Sequence, residues 1–141
     1  MDHAQRWHEQ RRAAINSHAA ALDAKRAAET AQARELLADF IEHAVAWGLA
    51  QVRLRVRVPE TRTTYRTHLM GWYLRRNRSL GVDAAGGFYL LDTTRSLRSR
   101  LRGVRPVPVD PPLHVGVGGR DGEAMPLAQL LRLRLAAGDD W

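Results

Sequence analysis

Residues 51–58 read Gln51-Val52-Arg53-Leu54-Arg55-Val56-Arg57-Val58. Apolar and basic side chains alternate strictly: Val52, Leu54, Val56 and Val58 on one side, Arg53, Arg55 and Arg57 on the other. A period of two marks a strand buried on one face, because successive Cβ atoms leave a pleated backbone on opposite sides. Pro59-Glu60 supplies a turn. Residues 61–69 then alternate again, with Thr63, Tyr65, Thr67 and Leu69 opposing Arg62, Thr64, Arg66 and His68. Together the two runs predict an antiparallel hairpin.

Downstream, Gly71-Trp72-Tyr73-Leu74 reads as a third short strand running into the turn Arg75-Arg76-Asn77-Arg78. Ser79–Val82 and Phe88–Leu91 form a fourth and a fifth, joined by a Gly-rich hairpin connection at 83–87. Thr94 is an N-cap and Gly103 a stop for a short basic helix. Four prolines between 106 and 112 hold residues 104–113 extended and largely unpaired. Residues 113–117 can add one more short strand before a turn at 118–122. Pro126 opens a last amphipathic helix with Leu127, Leu130, Leu131 and Leu135 on one face; Gly138 ends it, and Asp139-Asp140-Trp141 is a tail.

Upstream, residues 1–47 hold neither Gly nor Pro. Residues 35–48 are an amphipathic helix, with Leu36, Leu37, Phe40, Ile41, His43, Ala44, Val45 and Trp47 on a broad arc and Gly48 as its stop. On that arc His43 is expected as a hydrogen-bonded core residue. Residues 1–34 contain only four large apolar side chains, Met1, Trp7, Ile15 and Leu22. They form an Ala-rich helical arm, exposed and without a coiled-coil seam. The expected fold is α+β: an N-terminal helix, an antiparallel meander of about five short strands, a short basic helix and a C-terminal amphipathic helix. The arm spans 1–34 and a compact domain spans 35–141.

The chain has 141 residues and a formal net charge of +7, which conceals a sharp segregation. Residues 51–105 carry thirteen Arg against Glu60, Asp83 and Asp92, a net of +10, whereas the flanking segments are mildly acidic. Across the predicted sheet, Arg53, Arg55, Arg57, Arg62, Arg66 and His68 share one face, which Tyr73 and Arg75 extend. Arg76 and Arg78 at the hairpin tip widen it. Like charges opposite each other cost a sheet a few tenths to ~1 kcal/mol per pair, so something should offset them: a bound ligand or partner, acids of the chain itself, or plain solvation of arginines that splay apart over apolar sheet surface. Phosphate does so through bidentate guanidinium contacts and counterion release. The acidic stripe Glu35, Asp39 and Glu42 is too small to neutralise the segment.

Other chemistries find little support. With no cysteine there is no disulfide scaffold, thiolate metal site or cysteine nucleophile. The six histidines lack zinc-ligand spacing, and the glycine-rich pieces match no phosphate loop, so no metal and no cofactor are expected. No run is long and apolar enough for a membrane span, and the N-terminus has no signal-peptide core, so a cytoplasmic protein without membrane partners is expected. Three functions stand in order. The first is a non-enzymatic nucleic-acid-binding protein that docks the Arg-rich face on phosphates, RNA or ribosome ahead of DNA because no groove-reading helix is evident. The second is an adaptor that sets the helical arm and basic face against an acidic protein. The third is a metal-independent phosphodiesterase centred on His68.

Overall fold

Asp2 accepts a hydrogen bond from Gln5 N at 2.8 Å and starts a single 44-residue helix, α1 (His3–Ala46). It does so in the computed structural model, which describes residues 2–58, 60–92, 105–116 and 124–141. The arm and the amphipathic helix are therefore one element. Its buried seam is narrow: Ala33, Leu37, Phe40 and Ala44, steps of four, three and four residues. Residues 2–29 are exposed throughout, Trp7, Ile15 and Leu22 included. His43 lies off the seam. It is exposed, with Nδ1 2.7 Å from Asp39 O and its ring edge-on to Trp47 at 5.3 Å, so the expected core histidine is a surface one. Gly48, at φ +71, turns the chain out of the helix.

Four strands follow, β1 (Val52–Arg57), β2 (Thr64–Tyr73), β3 (Leu80–Asp83) and β4 (Phe88–Leu90), paired antiparallel in chain order. The second and third predicted strands are thus one ten-residue strand. Gly71 continues it rather than breaking it, because β3 crosses that position too closely for a side chain. A minor two-stranded sheet, β5 (His114–Val115) and β6 (Met125–Pro126), leads into α2 (Leu127–Ala137). The architecture is α+β as expected. Strand β6 has no counterpart in the sequence reading, and the proline segment is less free than its composition implies: Val109 N donates to Phe88 O at 2.9 Å. The predicted basic helix at 94–103 and the turn at 118–122 lie outside the described residues. Among the described residues, no helix is long and apolar enough to cross a membrane.

The sheet buries both faces. Trp72, Leu74, Leu80, Val82 and Phe88 pack against the α1 seam and against Leu127, Leu130 and Leu131 of α2. On the opposite face Leu54, Val56, Leu69, Tyr89 and Leu91 form a second cluster. The sheet curls around this second cluster. Arg57 N donates to Leu91 O at 2.8 Å, so the chain leaving β4 comes back to β1. Within the curl, a Cβ on Gly81 would lie 2.8 Å from Leu91 Cδ1 and 3.0 Å from Leu54 Cδ1.

A clasp closes the β3–β4 hairpin. Asp83 Oδ1 accepts from Ala85 N and Gly87 N, and Tyr89 donates its hydroxyl to Asp83 Oδ2 at 2.9 Å. Burial first, and Asp83 second, push the Tyr89 phenol up to about 12. The folded state therefore holds the proton more tightly than the unfolded chain. That stabilisation is complete below the ordinary value of 10.0 and is lost as pH rises through about 12. Stability should fall by on the order of 1–2 kcal/mol across that window, solvent screening taking up part of the shift. Urea midpoints against pH should show this decline in the wild type and a flatter profile in Tyr89→Phe.

Candidate anion-binding cleft

The basic face begins in β1, where Leu54 and Val56 are buried and Arg53, Arg55 and Arg57 point the other way. Arg55 stands directly opposite Arg66, Arg53 opposite Met70 and Arg57 opposite Thr64. Two steps along β1 thus match four along β2, and the extra residues form a bulge. Thr67 secures it: its hydroxyl donates to Leu54 O at 2.6 Å and accepts from Leu69 N at 3.1 Å. Because the shift is even, the alternation survives. Arg66, His68 and Met70 stay exposed while Thr67 and Leu69 stay buried.

The predicted basic residues take different roles. Arg57 pairs with Asp92 at 3.3 Å, so its charge is met inside the protein. Arg75, expected on the open face, is only 7% exposed: it enters the β2–β3 turn next to Leu74 and is folded into the interior. Arg62, Arg66 and His68 are exposed on or beside the hairpin. Among the described residues His68 makes no hydrogen bond. Tyr73 is not on the Arg face either. Strand β2 runs unbroken to Tyr73, which keeps it in phase with Thr67 and Leu69 and packs it against the second cluster. Its hydroxyl accepts from Arg55 N at 2.8 Å. The carboxylates of Glu35, Asp39 and Glu42 are exposed and pair with none of these arginines among the described residues.

Arg53, Arg55, Arg76 and Arg78 instead converge on a cleft of about 390 Å³ beside Tyr73. Arg53 is steadied by Thr67 O at 3.2 Å and Arg55 Nε by Thr64 Oγ1 at 2.9 Å. The turn after β2 aims Arg78. Its N–H donates to Arg75 O, its φ is +61, and its guanidinium lies 5.3 Å from the centroid of the Tyr73 ring. Left-handed backbone is costly for a side chain of this kind, by on the order of 1 kcal/mol, and glycine would avoid the cost.

The remaining wall escaped the sequence reading. Arg134 of α2 is 6% exposed; its Nε donates to Tyr73 O at 2.7 Å and its Nη1 donates to Gly138 O. It thereby caps a strand carbonyl beyond the end of the β1 pairing. Burial lowers the Arg134 pKa from its ordinary value, and Asp139 acts in the opposite direction. Asp139 accepts from Ala50 N at 2.9 Å and is the cleft's acidic side chain. Trp141 completes the lining, its ring 5.4 Å from the guanidinium carbons of both Arg76 and Arg134. No local pattern ties residues 134–141 to β1; only the packing of α2 brings them there. Among the described residues the site has five guanidinium, one acidic and two aromatic side chains, a composition suited to phosphate together with a planar group. Compared with known proteins, the chain matches no family model, no curated protein and no solved structure.

Proposed function

We propose that this is a small, non-enzymatic, cytoplasmic nucleic-acid-binding protein that docks phosphates in the arginine cleft and on the adjoining Arg62, Arg66 and His68 surface. The observation that carries this reading is convergence. Five arginines from β1, the β2–β3 turn and α2 line one concavity, and the Asp139 side chain among them is already engaged by a backbone N–H. Arg78 supports it: a cation is kept in a backbone conformation that glycine would adopt at lower cost. RNA or a ribosomal surface is favoured over DNA, because a concave site suits the splayed phosphates of loops better than a regular duplex.

The test is fluorescence anisotropy with a labelled single-stranded 20-mer RNA between 50 and 200 mM salt. If three to five phosphates are neutralised, log K should fall against log salt with a slope of about −2 to −3.5. Replacing Arg53 and Arg55 with Gln and Arg78 with Gly should reduce the slope by about 2. Arg78→Gly alone should melt no lower than the wild type, since it relieves left-handed strain. A wild-type slope near zero overturns the proposal.

A further inference from the structure

The basic cleft has an apolar neighbour. A second cleft of about 310 Å³ is lined mostly by the apolar Met125, Leu130 and Leu133, with Arg75 and Asn77 at its edge, and it shares Arg76 and Trp141 with the first. Trp141 therefore stands between a cationic compartment and an apolar one. One side of this wall is fixed and the other is not. Arg134 is buried and bonded to two backbone carbonyls, whereas Arg76 is exposed and rests against the ring. The buried indole N–H of Trp141 has no partner among the described residues, so no hydrogen bond locks the ring's orientation. Leu133, on the open side, is 46% exposed despite its size.

We infer that the site is selective for single-stranded RNA, with a phosphate held in the basic cleft and an adjoining base laid against Trp141 in the apolar one. The inference rests on the nucleic-acid reading above and adds which form of nucleic acid is taken. A single strand alternates an anionic phosphate with a planar apolar base, and the two clefts alternate in the same order. Paired bases in a duplex are stacked inside the helix and present neither face to an aromatic wall. Arginine lining both compartments contributes twice, as a phosphate fork and as a cation over π-faces.

The experiment compares the full chain on a labelled single-stranded 20-mer RNA and on the blunt duplex of the same sequence, at one salt concentration. Wild type should bind the single strand at least about tenfold more tightly than the duplex. Trp141→Ala should weaken single-strand binding by about 5- to 150-fold, the range for loss of one stacked base. It should change duplex binding less than about twofold, and Trp141→Phe should restore most of the loss because a ring remains. An unchanged melting temperature in Trp141→Ala separates this from unfolding; if that variant melts early, Trp141→Phe and the wild-type strand preference decide. Equal affinity for both RNAs, or equal loss on both in Trp141→Ala, overturns strand selectivity while leaving phosphate docking standing. No salt-dependent binding to either RNA overturns both.

Discussion

Replacing Trp72 with alanine should destabilise the protein by about 3–5 kcal/mol, a large share of the 5–15 kcal/mol that holds an ordinary domain together. Trp72 is fully buried at the centre of the outer sheet face. Its ring meets Phe40 edge-on, centroids 6.1 Å apart and planes at 90°, the arrangement that the aromatic quadrupole favours. Its indole N–H donates to Leu49 O at 3.3 Å, fixing the link between α1 and β1. Alanine would open a cavity where both helices meet the sheet, and it would leave the Leu49 carbonyl without that donor. Thermal unfolding followed by circular dichroism should show a fall of roughly 10 °C or more. Trp72→Phe should recover part of it, since a ring still reaches Phe40 but the hydrogen bond is gone. A drop of only a degree or two in Trp72→Ala would mean that α1 does not depend on this face.

Trp72 also shows where sequence reading stops. Strand β1 was legible because one of its faces is open, so burial and alternation coincide. The stretch Leu80-Gly81-Val82 is buried on both faces, and its strand character comes from pairing rather than from any contrast between sides. The same holds for the end of β2, where Trp72 faces the helices and Tyr73 the second cluster. Treating residues 71–74 as a separate strand gave Tyr73 the wrong phase; a continuous β2 gives it the phase of Leu69. The charge shows a similar division. A dense Arg segment is readable as a surplus, but its distribution depends on long-range closure. Arg57 meets Asp92 because the chain leaving β4 returns to β1, and Arg134 joins Arg53 and Arg55 because α2 docks beside the end of β2. Neither contact has a local spacing that could announce it. The α1 arm is the opposite case. Its paucity of large apolar residues was plain, and residues 2–29 bury nothing in this chain, while Ala33 two helical turns before Phe40 already belongs to the core.

The sharpest test of the curled sheet is Gly71→Ala, which should cost on the order of 3 kcal/mol or more although it adds one methyl group. Gly71 pairs with Asp83 across the β2–β3 ladder. A Cβ built there would overlap the Val82 carbonyl oxygen and lie 2.8 Å from Asp83 Cα and 2.9 Å from Val82 C. All three obstacles are backbone, so no rotamer change can relieve them; β3 must move or the ladder must open. Movement of β3 would disturb Val82 in the helix-facing cluster and Asp83, which holds the Tyr89 clasp. Gly81→Ala is the informative contrast, because its two nearest neighbours are the ends of the Leu91 and Leu54 side chains rather than backbone, although both leucines are fully buried. Gly48→Ala differs again: nothing lies within 4 Å, so only its left-handed backbone is penalised, at about 1 kcal/mol. Urea midpoints should therefore place Gly71→Ala as the most damaging of the three substitutions. If it unfolds at the same urea concentration as Gly48→Ala, β3 does not cross β2 as closely as the curl requires, and the second cluster loses the wall that encloses it.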